Sequence, residues 1–160
     1  MRYSFEEDAH LFQASGKIYD EEDQVVYRYQ NSHMVEPRID LFKYDVNIGH
    51  VISRFSLLHH SYEIFYGADL IGVLEVNSSL SSTQLSIPEL GWRIEGGAFC
   101  EKFDILNEKE ELIAIADKKG PVLSRQYGIE IYDEFNEEMI ILLIVALNQY
   151  IKEKEAAAVA

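Results

Sequence analysis

Cys100 is the only thiol of this 160-residue chain, and His59-His60 is its only pair of adjacent imidazoles. A thiol beside an imidazole is the pairing of nucleophilic catalysis, in which the base generates the attacking thiolate. Nothing in the spacing brings Cys100 to either ring, so it reads as a packed structural thiol. The histidine pair is also a metal-ligand type. Neighbouring residues of a strand point to opposite faces, so the two rings cannot easily share one ion. The pair reads as a turn before a strand over Ser61 to Phe65.

The remaining reactive types are acids, one indole and a small basic group. With 28 Asp and Glu, some carboxylates must lie close together on any surface, and proximity alone does not indicate acid–base chemistry. They serve solubility and the protection of strand edges. Asp20-Glu21-Glu22-Asp23 is acidic, but it lacks the alternating ligands and central glycine of a calcium loop. Trp92 could stack on a ligand; Gly91 and the strand after it favour packing on the core instead. Lys118, Lys119 and Arg125 form the densest basic group and read as a solvated turn rather than an anion site. The sequence holds no Gly-x-Ser-x-Gly, His-Glu-x-x-His, Cys-x-x-Cys or Gly-x-x-x-x-Gly-Lys. No catalytic, cofactor-binding or metal-ligating residue is therefore assigned, and the expectation is a protein that is not an enzyme.

Charge narrows the partners. The formal net charge is −14, which opposes nucleic-acid binding, since that needs a basic face. The longest apolar run, Met139 to Leu147, is far short of the roughly 20 residues that span a bilayer. No stretch of signal-peptide length opens the chain, and a lone cysteine suits a reducing compartment. The expectation is a cytoplasmic protein with no transmembrane segment. Asn77-Ser78-Ser79 matches a glycosylation sequon and reads as a turn.

Positioning elements follow from hydrophobic patterning. Lys17-Ile18-Tyr19, Tyr62-Glu63-Ile64-Phe65 and Tyr127 to Tyr132 alternate apolar and polar residues, the mark of strands with one buried face. Ile18 and Val25, Ile64 and Ile71, and Ile105 and Leu112 are each seven residues apart, as in the arms of tight hairpins. Leu41 to Arg54 forms a looser unit with Gly49 at its turn exit. Thr83 to Ile87 with Trp92 to Glu95 forms another. About a dozen short strands result, in one domain over residues 1–155, with 156–160 a frayed tail.

Glu134 to Glu155 differs, containing neither Gly nor Pro. Asp133 is placed to cap it, and Glu134, Glu137 and Glu138 suit the positive end of a helix dipole. Met139 to Val145 is apolar on every side, a cylinder rather than a stripe. Each large side chain gains about 1.5–3 kcal/mol on burial, so the segment must be wrapped by protein. A helix about 10 Å across needs a barrel wider than eight strands. The fold class is therefore mainly β with one helix: a closed antiparallel barrel of about twelve strands around a buried hydrophobic C-terminal helix. Such a lumen is plugged.

The Ile-Tyr-Asp hairpins, Gly91-Trp92-Arg93-Ile94-Glu95-Gly96 and the ending Tyr127 to Leu147 resemble the LURP-one-related family. The likeness covers residues 2 to 152 and lies in the order and spacing of the segments. It implies membership of the tubby C-terminal-like superfamily, with the phospholipid scramblases, and a twelve-stranded barrel around a C-terminal helix. Phe99 matches a short aromatic stretch of that family. Lys118-Lys119 runs into Gly120-Pro121 where many members continue into an aromatic residue. The resemblance further implies a relation to phosphoinositide-binding tubby proteins, which use basic residues.

The resulting expectation is a non-catalytic binding or regulatory module that uses the barrel exterior, with a protein or small molecule as partner. A peripheral membrane module binding phospholipid headgroups is the first alternative. Anionic lipid attracts basic segments at about 1 kcal/mol per Lys or Arg, so a chain at −14 is repelled overall and displays no local basic patch to reverse this. An enzyme with an unrecognised site is the second.

Overall fold

A computed structural model describes residues 1–8, 15–31, 38–55, 60–78, 83–96, 102–119 and 126–159. The strands are β1 (Arg2–Glu7), β2 (Ser15–Tyr19), β3 (Val25–Asn31), β4 (Arg38–Lys43), β5 (Val46–Phe55) and β6 (His60–Tyr66). They continue as β7 (Asp69–Ser78), β8 (Thr83–Ile87), β9 (Trp92–Glu95), β10 (Lys102–Leu106), β11 (Leu112–Lys119) and β12 (Gln126–Ile131). Each pairs antiparallel with its sequence neighbours, and β1 pairs with β12, so the sheet closes without an edge. A single 3₁₀ turn, Glu134–Asn136, leads into helix α1 (Glu137–Val159).

Closure places five tight turns, the amino terminus and the entry to α1 at one end of the barrel, the turn end. Alternation is clear in β1, β9 and β12, where Tyr3 and Phe5, Trp92 and Ile94, and Tyr127 and Ile129 face inward; in β3, β4 and β11 neighbouring residues such as Val26 and Tyr27 are both buried. Ile140 to Leu147 fill the lumen, each at most 3% exposed. The apolar cylinder read from the sequence is thus met on all sides by the barrel wall. The wall adjusts to it at Gly49 on β5. A Cβ there would lie 2.2 Å from the Phe65 carbonyl oxygen of β6, a clash that only glycine avoids, and 3.2 Å from Leu142 Cδ1 of the helix, a tight contact.

The structure moves several sequence-read details. The seven-residue spacing finds the right hairpins but not the right partners. Ile18 pairs with Tyr27 and Ile105 with Ala114, two residues beyond the expected partners, and Ile64 pairs with Gly72, one beyond, because the register shifts between Ile18 and Tyr19, Ile105 and Leu106, and Ile64 and Phe65. A bulge adds one residue to one strand, which a spacing rule cannot register. The β4–β5 turn is Tyr44-Asp45, and Gly49 lies inside β5 rather than at the turn exit. Lys118 and Lys119 end β11 as paired strand residues instead of forming a turn, and Asn77-Ser78 belongs to β7. Asp133 makes no side-chain cap on the backbone; its carboxylate accepts from Asn136 Nδ2 at 2.6 Å, and the chain enters α1 through the 3₁₀ turn. The helix runs to Val159, beyond the Glu155 limit, through three alanines that are strong helix formers.

Candidate functional site

Two carboxylates of α1 carry the polar chemistry of the lumen. Glu137, 8% exposed on the first turn, accepts hydrogen bonds from Tyr3 Oη at 2.8 Å and Tyr27 Oη at 2.5 Å. Glu153, at the opposite mouth, accepts from Tyr62 Oη at 2.6 Å and Gln149 Nε2 at 2.9 Å. Burial, and then the bonded carboxylates, push all three phenols well above their ordinary range. Glu138 bonds Lys43 Nζ at 2.9 Å and Tyr66 Oη at 2.6 Å. Burial alone would raise the Glu138 carboxyl; the Tyr66 hydroxyl and Lys43 ammonium outweigh it and hold the carboxyl below its ordinary value. Lys152 Nζ meets Glu7 at 2.7 Å beside Asn148.

One cluster has the residue types of a catalytic relay. Ser53 Oγ lies 3.3 Å from His60 Nε2, and Glu153 Oε2 lies 2.5 Å from the same nitrogen. A serine–histidine–acid relay needs the hydroxyl and the acid on different ring nitrogens. Here Tyr62 Oη also sits 3.0 Å from Nε2, so the serine, the tyrosine and the acid converge on one nitrogen. The cluster ties α1 to β5 and β6, and Ser53 and Glu153 do not occupy opposite ring nitrogens.

A concavity of about 490 Å³ lies on the outer wall over β10, β11, β12 and β1. Its floor includes Ser4, Ile115 and Gly128, with Arg2, Lys102, Asp117 and Glu130 around it and the Asp20-Glu21 turn at one end. Gly128 pairs with Ser4 on one side and Asp117 on the other, so the absence of a side chain there deepens the wall between two polar strands. Arg2 pairs with Glu130 at 3.4 Å, and Lys102 with Asp104 at 3.7 Å. Both cations are largely exposed, so these pairs are weak and open to exchange with a ligand.

The residues singled out from sequence distribute as follows. Trp92 is 5% exposed and packs in the core. His60 opens β6 and joins the Glu153 cluster, rather than lying in a turn. Asp20 accepts from the Glu22 and Gln24 amides at 2.9 Å and so builds its own turn. Cys100, His59, Phe99 and Arg125 lie outside the described residues. The tyrosine–glutamate contacts have no sequence signal, since Tyr3 and Glu137 are 134 residues apart.

The turn end also carries exposed apolar side chains. Among the described residues, Phe135 is 96% exposed, and Tyr44, Val46 and Leu70 are each more than half exposed. Tyr132, Met1, Tyr66, Leu112 and Val25 follow, and every one of these residues belongs to the turn end.

No helix among the described residues is long and apolar enough to cross a membrane. No group of three or more His, Cys, Asp or Glu among them could hold a metal ion. An X-ray structure of a protein from Arabidopsis thaliana matches with a TM-score of 0.65 at 10% identity, covering 93% of this chain and 91% of that one. At that identity the match speaks for the fold alone. No curated protein matches in sequence. The profile of the LURP-one-related family matches residues 1–148, which takes in the whole barrel and the buried part of α1, and the chain belongs to that family.

Proposed function

We propose that the protein is a non-catalytic binding or regulatory module whose partner uses the barrel exterior. The observation that carries this reading is the filling of the lumen by Ile140 to Leu147, which leaves no internal ligand space along that stretch. The outer concavity over β10, β11, β12 and β1 is the site we assign to a small polar ligand or to the side chains of a protein partner. Its mixed rim, with Arg2 and Lys102 against Asp117 and Glu130, suits a ligand that is itself both donor and acceptor. A cytoplasmic setting belongs to the same reading. The superfamily's phospholipid chemistry is the alternative, and a net charge of −14 weighs against attraction to anionic lipid.

Amide NMR of the labelled protein, titrated with a mixture of small polar fragments, tests the reading. The expected shifts fall on Ser4, Lys102, Asp117 and Gly128, with Ile140 to Leu147 unmoved. Shifts centred on the helix would contradict exterior binding. Flotation on anionic but not neutral vesicles, lost at high salt, would transfer the reading to the lipid alternative.

A further inference from the structure

We infer that the turn end of the barrel is a docking face for a basic, amphipathic segment of a protein partner. Phe135, Tyr44, Val46 and Leu70, each more than half exposed, stand on the turns, strand ends and helix entry of one mouth, a group rather than single scattered side chains. The β4–β5 and β6–β7 turns are drawn to the start of α1, because Lys43 and Tyr66 both bond Glu138. That brings Tyr44, Val46, Tyr66 and Leu70 to the same mouth as Phe135. Aromatic side chains on rigid turns are the anchors from which binding hot spots are built.

The surrounding charge selects the occupant. The residues of the turns and of the β12–α1 connection include Asp20 to Asp23, Asp45, Glu89, Glu108, Glu110, Glu111, Asp133 and Glu134; Lys109 lies among them, and Arg28 and Arg93 reach in from β3 and β9 to pair with Asp45 and Glu110, which leaves the excess acidic. An anionic lipid surface or a second copy of the chain would bring like charges together around the apolar centre. A segment with leucine-like residues on one face and lysines or arginines on the other complements both parts. The outer concavity lies on the side wall and shares with this face the Asp20-Glu21 turn.

The test is calorimetric titration with a helical peptide built only of leucine and lysine, against a leucine–glutamate peptide of the same pattern. The expected result is binding of the first peptide alone, weakened at least about tenfold by the double change Phe135→Ser and Leu70→Ser. A second pair, Tyr44→Ser with Val46→Ser, should act alike, and circular dichroism should be unchanged because these side chains are exposed. Equal binding of both peptides, or binding untouched by either double variant, would overturn the inference. So would no binding, flotation on neutral phosphatidylcholine vesicles that requires Phe135, or a dimer in sedimentation velocity that Phe135→Ser dissolves.

Discussion

Tyr27 on β3 donates a hydrogen bond of 2.5 Å to the Glu137 carboxylate on the first turn of α1, joining the barrel wall to the helix it encloses. Tyr62 does the same for Glu153 at 2.6 Å near the other mouth. Between these two mouths the stretch Ile140 to Leu147 is apolar and offers only packing. Packing fixes its depth loosely, while directional bonds at both mouths fix its position along the barrel axis and its rotation.

Tyr27→Phe should therefore lower stability by about 1–3 kcal/mol, since it removes a donor from a buried carboxylate and leaves the ring volume nearly unchanged. Urea unfolding measures this. In a double-mutant cycle with Glu137→Gln the two losses should be less than additive, as expected of direct partners.

Alkaline pH should unfold the protein early. Tyr3, Tyr27 and Tyr62 have folded-state pKa values raised above 10, so the folded state favours the neutral phenol. Their contribution is complete below the unfolded value and is lost as pH rises above about 10. Phenolate absorbance should show these three tyrosines ionising only together with loss of circular dichroism. Glu138 has the opposite sign: its lowered pKa contributes stability above its ordinary 4.5, lost as pH falls below that value. Tyr66→Phe should flatten that acid limb.

Leu143→Asp should abolish folding. Leu143 is 0% exposed in the middle of the lumen, and an unpaired buried carboxylate costs several kcal/mol. A soluble protein with a cooperative unfolding transition would contradict the enclosed helix.

Gly49→Ala should destabilise by about 1–3 kcal/mol, as overpacking does. The added methyl would meet the Phe65 carbonyl oxygen at 2.2 Å, and neither paired strand can move without disturbing the Leu142 contact. Thermal melts of Gly49→Ala against Gly67→Ala separate crowding from backbone conformation, since Gly67 has φ of +61° and open space around its Cβ position.

Much of this architecture was legible in the residues. Tyr62 and Ile64 alternate with Ser61 and Glu63 because β6 has one face on the helix. Met139 to Val145 is apolar all round because the barrel surrounds it. Thr83 to Ile87 and Trp92 to Glu95 coincide with β8 and β9. Bulges were not legible, because the extra residue on the partner strand (Val26, Ile71 or Ile113) changes pairing without changing local hydrophobicity. Nor were the Tyr3–Glu137 and Tyr62–Glu153 bonds, whose partners meet only after the barrel closes. The crowding of Phe135, Tyr44 and Leu70 at one end becomes visible only when the turns are known to share that end.

The account rests on the helix occupying the lumen permanently, and native-state hydrogen exchange of the Ile140 to Leu147 amides tests that most directly. Enclosure predicts that these amides exchange only through global unfolding, with a free energy equal to that from urea denaturation. Exchange at much lower free energy, independent of denaturant, would mean that the helix leaves the barrel and that the lumen is open to a ligand.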